Sequence, residues 1–264
     1  MSTTAVLVGV DGSAGADHAL DWAAAEAASR RAPLTLCFVR PGGDLSVPAI
    51  SRYQAVEVLD AAELRLAGEW PQLAVRRVVA EGYPSTQLRR LSTACGLVVV
   101  GARGTSGLRG MPIGSVAGFL VAHAFCPVVI VPAGRADPDA PVVVGADGSP
   151  LNDPALEFAF EAAERGEVPL AALSSVDDEP RTAELAWDAV RSWSGKFPRV
   201  PVEHRIVDGP PAAELVTASA AASLLVVGSS GHGGRSGLLL GSVSQPVSQQ
   251  ARCPVAVVHP LIRR

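Results

Sequence analysis

The sequence predicts an α/β chain built as two tandem copies of one doubly wound domain, each an open parallel sheet flanked by helices. Three observations carry this. Short apolar runs rich in Val, Leu and Ile alternate with segments of helical periodicity, the pattern of parallel strands buried on both faces. A glycine pattern occurs twice in the same setting: Leu97-Val-Val-Val-Gly101 leads to Gly104, Gly114 and Cys126-Pro127, and Leu224-Leu-Val-Val-Gly228 leads to Gly231, Gly241 and Cys253-Pro254. Every one of these positions is shifted by 127 residues. Finally, Val6-Leu-Val-Gly-Val-Asp11-Gly-Ser13 matches Val142-Val-Val-Gly-Ala-Asp147-Gly-Ser149 at a shift of 136, so the second copy is shorter by nine residues between its second and third strands. Self-similarity at a fixed period signals a repeat architecture.

Each element of the first copy has a local reason. Strands read at 5–10, 34–39, 74–80, 97–101 and 127–131. The segment 16–31 is Ala-rich and helical in period. A longer helix reads over 50–70, with Val56, Leu59, Leu66 and Trp70 on its buried side. Helix 84–95 opens on Pro84, which costs nothing in the first turn because that N–H has no helical partner. The last helix reads over 114–124. The second copy repeats this from Val142 to Val258. Right-handed crossovers then give a parallel sheet with helices on both faces. The units read as 1–134 and 140–264, joined by a short polar stretch rich in Pro and Gly, Pro132 to Pro141.

Composition narrows the function. The chain is 48% apolar with a net charge of -4, which excludes a disordered chain and the basic surface that nucleic acid requires. No run is long and apolar enough for a membrane span, and the N-terminus shows no signal peptide, so a cytoplasmic protein is expected. Cys37, Cys95, Cys126 and Cys253 show no CxxC spacing and no accompanying His; they read as small buried residues in a reducing compartment. Glu26, Glu63 and Glu161 read as solvated helix faces, and Trp70, Trp187 and Trp193 as packing residues.

Ligands of doubly wound sheets bind at the carboxyl ends of strands, where strand order reverses. Asp11 and Asp147 close the first strand of each copy, and Gly101 and Gly228 the fourth. Glycines there allow backbone N–H groups to approach an anion. The pairs Gly114-Ser115 and Gly241-Ser242 then open a helix whose free N–H groups favour phosphate. An aspartate repels phosphate but suits a ribose hydroxyl or amino group; it also suits a helix cap. Arg103 and His232 stand in the two loops as candidate phosphate neutralisers or solvated side chains. No Gly-x-Ser-x-Gly elbow, HExxH or Gly-x4-Gly-Lys-Ser/Thr loop is present. No residue reads as catalytic, and slow ATP hydrolysis is the most the chain is expected to do.

The strand ending in Asp-Gly-Ser together with Gly-x2-Gly-x9-Gly-Ser resembles the ATP-binding subgroup of the universal stress protein family, over essentially the whole chain and twice. The resemblance implies an adenine nucleotide alpha hydrolase-like fold with strand order 3-2-1-4-5 in each domain. It implies pairing of the domains through their last strands, and tandem members often dimerise again. It implies ATP in each crevice, with Mg2+ as a possible companion although no carboxylate is placed to hold it. Asp11 would contact the nucleoside and the Val39 backbone the adenine. Gly101 and Gly104 would line ribose and phosphates, and Gly114, Ser115 and Val116 would hold the phosphates. The second domain maps to Asp147, Gly228, Gly231, Gly241, Ser242, Val243 and Ser244. Ser244 stands where the first domain has Ala117, one hydroxyl more. Ser175 replaces Val39 and precedes the acidic run Asp177-Asp178-Glu179, which would weaken polyanion binding. Nucleotide binding would order loops 102–113 and 229–240 and serve a stress response as a regulatory or structural ligand.

Overall fold

The structure, a computed structural model, describes residues 4–40, 52–105, 113–175, 180–231 and 241–260. It divides into two compact units, Met1–Gly134 and Arg135–Arg264.

The first unit contains strands β1 (Val6–Gly9), β2 (Leu34–Arg40), β3 (Val75–Glu81), β4 (Leu97–Gly101) and β5 (Val128–Val131), alternating with helices α1 (Ala14–Ser29), α2 (Arg52–Glu69), α3 (Pro84–Leu91) and α4 (Ser115–His123). The strands form a parallel sheet in the order β3-β2-β1-β4-β5, with Val6 opposite both Leu34 and Leu97. The second unit repeats this with β6 (Val142–Gly145), β7 (Leu170–Ser175), β8 (Val202–Val207), β9 (Leu224–Gly228) and β10 (Val255–Val258), and α5 (Asp153–Gly166), α6 (Pro180–Lys196), α7 (Pro211–Ala218) and α8 (Ser244–Gln250). Its order is β8-β7-β6-β9-β10, again parallel. The five-stranded order implied by the family resemblance is present in each unit.

The strand sequences explain their places. In β4 the four residues Leu97 to Val100 are buried, as are all four of β5 and β10, because helices cover both sheet faces. The outermost strands β3 and β8 instead mix exposed charges with half-buried residues, which blunts a free edge. Arg77 on β3 pairs with Asp60 at 2.5 Å and with Glu63, both on α2, so Glu63 is an ion-pair partner on its solvated face. Glu161 pairs with Arg165 in the same way, whereas Glu26, paired with Arg30, is only 14% exposed at its side chain, which corrects its expected solvated position.

Helix α1 buries Ala16, Ala19, Ala23, Ala24 and Ala27, whose small side chains let it lie close to the sheet. Its cap is Ser13, whose Oγ accepts from the Ala16 N–H at 3.2 Å. Along α2 the buried stripe is Ala55, Leu59, Ala62 and Leu66, spaced four, three and four apart. Val56 lies one residue, or about 100°, off that stripe. It is 50% exposed, which corrects its expected burial. Helix α3 is shorter than expected. It stops at Leu91 and tightens into a 3-10 turn over Ser92–Ala94.

Two non-glycine residues close helices in the left-handed conformation, Arg31 at φ 52° and Glu167 at φ 54°. Glycine adopts this conformation without a Cβ penalty. Glu167→Gly is therefore expected to stabilise the second unit by about 0.5–1 kcal/mol, readable as a higher urea midpoint with an unchanged slope.

His204 on β8 is sandwiched between its Ser174 partner, Nε2 to Oγ at 2.9 Å, and the Trp187 ring, stacked at 5.0 Å and 6°. Trp187 is thus a packing residue, as is Trp193, which lies 6.3 Å from Phe197. Burial pushes the His204 pKa below its ordinary 6.5. The folded state favours the neutral ring, so this contribution is present above pH 6.5 and is lost as pH falls below it through the folded pKa. Urea unfolding at about pH 7.5 and about pH 5 is expected to show a stability drop that His204→Gln reduces.

Candidate functional site: the crevice at the strand-order reversal

In each unit the chain order reverses between the first and fourth strands, β1 beside β4 and β6 beside β9. The segments that follow their carboxyl ends meet there, which opens a crevice at that edge of the sheet.

In the first unit Asp11 stands two residues beyond β1. Its Oδ1 accepts from the Ser13 N–H at 3.0 Å and the Ser13 hydroxyl at 2.6 Å. Its Oδ2 accepts from the Thr105 N–H at 2.9 Å and the Thr105 hydroxyl at 3.3 Å. The carboxylate thus ties the β1 turn to the loop after β4, and the helix cap expected of it is made by Ser13. The turn itself requires Gly12 at φ 80°, and its counterpart Gly148 at φ 70°. A Cβ on Gly148 would stand 2.7 Å from the Ala186 N of α6, so that glycine also permits the helix to approach.

The loop glycines are tightly embraced. A Cβ on Gly101 would lie 2.5 Å from the Gly15 carbonyl oxygen, and one on Gly15 would lie 2.2 Å from the Arg103 carbonyl oxygen. A Cβ on Gly104 would lie 2.5 Å from Asp11 Oδ2, and one on Gly231 would lie 2.4 Å from Asp147 Oδ2. Each aspartate therefore presses against a loop glycine of its own unit, and the sequence-derived pairs Asp11 with Gly104 and Asp147 with Gly231 do converge.

The loop returns to the strand end through a backbone bond. Gly114 N–H donates to the Ala102 carbonyl at 2.8 Å, and Gly241 N–H to the Ser229 carbonyl at 2.9 Å. Gly114 is the cap residue of α4, and as a glycine it offers no side-chain acceptor to the first N–H groups of that helix. Ser115 and Ser242 are exposed beside this turn, with Val116 and Val243 half-buried. Val39 and Ser175 take corresponding positions on β2 and β7, but the Ser175 hydroxyl donates to the Gly209 carbonyl at 2.6 Å.

The two units differ in detail. Helix α8 starts at Ser244, later than the expected Gly241-Ser242. Ser244 is 1% exposed, and its hydroxyl accepts from Gly241 N at 3.1 Å and donates towards the Gly241 and Ser229 carbonyls at 3.3 and 3.4 Å. A serine bonded to local backbone competes with the helical ladder, and Pro246 withholds one N–H from it. The additional hydroxyl of the second unit is therefore turned into the loop. Helix α5 likewise starts at Asp153 after Pro150 and Asn152, where α1 starts directly after Ser13. Ser149 Oγ and Asn152 Oδ1 are buried without hydrogen-bond partners, while Asn152 Nδ2 holds the Gly145 carbonyl at 3.0 Å. Sequence reasoning passed over Ser13, Thr105 and Gly15. The Asp-x-Ser spacing signals the Ser13 bond, but no sequence signal brings Gly15 to Arg103.

Arg103 is exposed. His232, Asp177 to Glu179 and most of loops 102–113 and 229–240 lie outside the described residues. Among the described residues no three His, Cys, Asp or Glu side chains gather as a metal site, and no helix is long and apolar enough to cross a membrane. A groove of about 530 Å³, lined by Ala27, Arg31, Trp70 and Leu73 among others, opens at the amino ends of β2 and β3, the opposite end of the sheet from the crevice.

Comparison with known proteins agrees with this architecture. The chain matches the Universal stress protein family over residues 3–132 and again over 140–259. It is 37% identical to universal stress protein Rv2623 of Mycobacterium tuberculosis, covering 98% of this chain and 97% of that protein. It is 36% identical to universal stress protein Rv2005c of the same organism, covering 96% of each. Among solved structures, a universal stress protein from Archaeoglobus fulgidus superposes with a TM-score of 0.76 at 22% identity, over 98% of this chain and all of that one. With two full-domain matches and relatives aligned end to end, the chain belongs to the universal stress protein family, carrying its domain twice.

Proposed function

We propose that each unit binds one adenine nucleotide, ATP, in the crevice between its first and fourth strands, and that the nucleotide acts as a regulatory or structural ligand in a stress response; any Mg2+ would be held by the phosphates, since among the described residues no carboxylate cluster is placed to hold it. One observation carries this reading: the same glycine turn is built twice at the point of strand-order reversal, each closed by a backbone bond from Gly114 or Gly241 back to the residue that follows β4 or β9. In the first unit that turn opens a helix whose cap residue, Gly114, offers no side chain to its first N–H groups. Such N–H groups and the positive helix end favour phosphate. Gly101 and Gly104 would line the ribose and phosphates in the first unit and Gly114, Ser115 and Val116 hold the phosphates; Gly228, Gly231, Gly241, Ser242 and Val243 correspond in the second. Asp11 and Asp147 would face the nucleoside end, where their negative charge does not oppose the phosphates. Val39 would offer its backbone to adenine. Ser244 would act by shaping the turn around Gly241. The protein is proposed to work in the cytoplasm, on its own or as a dimer of two-domain chains, with slow ATP hydrolysis as the most it would catalyse.

A ligand that binds only the folded state stabilises it by mass action, by about 2.7 kcal/mol at a hundredfold excess over Kd. Thermal unfolding with and without Mg-ATP tests the reading. A concentration-dependent rise that GTP does not reproduce supports it, and an unchanged transition at millimolar ATP contradicts it.

A further inference from the structure

Cys95 and Cys126 are 31 positions apart in the chain, yet their sulfurs lie 3.8 Å from each other. Cys95 follows the 3-10 turn Ser92–Ala94 and stands two residues before β4; Cys126 stands two residues before β5. These are adjacent parallel strands, Val98 opposite Val128, so the thiols sit side by side at the amino ends, away from the crevice. Neighbouring strands are spaced about 4.8 Å apart, compatible with the Cα separation a disulfide spans.

The surrounding backbone is latched. The Ser92 hydroxyl accepts from the Phe125 N–H at 3.0 Å and donates to the Arg89 carbonyl at 2.7 Å; Arg89 Nε donates to the His123 carbonyl at 3.0 Å. The second unit has the same latch, Arg252 N–H to Ser219 Oγ at 2.9 Å and that hydroxyl to the Val216 carbonyl at 2.6 Å. There, however, Ala222 replaces the first cysteine and Cys253 is alone. The latch therefore does not need two thiols, and the pair is an addition peculiar to the first unit. Cys95 is half-buried and reachable, whereas Cys126 is 8% exposed.

We propose that Cys95 and Cys126 form a reversible, peroxide-driven disulfide that staples the start of β4 to the start of β5 in the first unit only. The Cys95 sulfur attacks a peroxide oxygen, the O–O bond breaks, and a sulfenic acid and one water result. The Cys126 sulfur then attacks the sulfenic sulfur; hydroxide leaves and takes the Cys126 proton as a second water. Two thiols are oxidised and one hydrogen peroxide is reduced. An external dithiol reverses the link through a mixed disulfide. The order of attack has a physical cause. The contact with the Cys126 thiol and the Leu97 N–H together hold the Cys95 pKa below the ordinary thiol value, while the same contact and burial raise that of Cys126. The closed loop spans residues 95–126, so oxidation stabilises that unit mainly by restricting its unfolded chain. The proposal does not rest on nucleotide binding.

The test uses the reduced full chain, a few equivalents of hydrogen peroxide, alkylation of the remaining thiols under denaturing conditions, and peptide mass mapping. The expected result is a linked Cys95–Cys126 peptide, reversed by dithiothreitol, with Cys37 and Cys253 alkylated and a first-unit unfolding temperature several degrees above that of the reduced chain. Cys126→Ala is expected to stop at a Cys95 sulfenic acid trapped by dimedone. Cys95→Ala, which the second unit's Ala222 shows to be sterically acceptable, is expected to leave no intrachain link. The proposal is overturned if no linked peptide forms while Cys95 proceeds to sulfinic or sulfonic acid, or if peroxide consumes thiols equally fast in Cys95→Ala.

Discussion

Replacing Gly241 by valine is expected to lower the ATP stoichiometry of the chain from two to one while changing the stability of the nucleotide-free protein by less than about 1 kcal/mol. The structure separates these two effects. Gly241 is not among the left-handed glycines. A Cβ there would find the Ser229 carbonyl oxygen at 3.4 Å and Ser244 Oγ at 3.5 Å, ordinary contact distances. The turn can therefore accept a side chain when empty. A branched side chain would, however, fill space beside the N–H groups proposed to hold phosphate. Losing charge-assisted hydrogen bonds of about 1.5–3 kcal/mol each implies an affinity drop on the order of a hundredfold or more at that site. Calorimetry on the variant reads the stoichiometry directly, and two sites of unchanged affinity would show that phosphate does not lie at Gly241.

Gly101→Ala has the opposite character and is expected to destabilise the first unit by about 2–3 kcal/mol, as overpacking against backbone does. The added Cβ would meet the Gly15 carbonyl oxygen at 2.5 Å, its carbon at 2.6 Å and Ala16 N at 3.2 Å. All three belong to the start of α1, which would have to lift from the sheet. In the second unit the only close neighbour of a Cβ on the corresponding Gly228, among the described residues, is the Ser230 carbonyl oxygen at 3.0 Å, a loop atom with more freedom to give; Asn152 Nδ2 stands at an ordinary 3.9 Å. Gly228→Ala should thus cost clearly less. Urea unfolding of both variants tests the difference, and equal losses would contradict this account of how α1 packs on β4.

Much of the architecture was readable in the chain because its causes are local. Runs such as Leu97 to Val100 are apolar without alternation, and two-sided burial in a parallel sheet is the reason. The doubled Asp-Gly-Ser and glycine spacings located both crevices, since these residues must meet wherever the first and fourth strands are neighbours. What was not readable depends on contacts distant in sequence or on competition within a turn. Val56 looked as apolar as Leu59, and only the phase of α2 against its sheet leaves it in solvent. The start of α8 depends on which backbone groups the Ser244 hydroxyl takes, and composition does not disclose that. Ser13 rather than Asp11 caps α1: the helix starts at Ala14, and the aspartate, two residues before the cap, is taken by Ser13 and Thr105. The cysteines lacked any paired spacing, yet neighbouring strands bring Cys95 and Cys126 together.

The first-unit and second-unit crevices are alike in backbone and unlike in side chains. Asp11 takes four hydrogen bonds from Ser13 and Thr105, whereas beside Asp147 the Ser149 hydroxyl and the Asn152 side-chain Oδ1 are buried without partners among the described residues. Unequal affinities are the natural consequence of this asymmetry. The central claim is that both crevices hold nucleotide, and calorimetric titration of the nucleotide-stripped chain with Mg-ATP tests it most directly. The account predicts saturation near two ATP per chain, resolved into two unequal affinities; absence of heat at several temperatures, together with an unshifted unfolding transition, would contradict it.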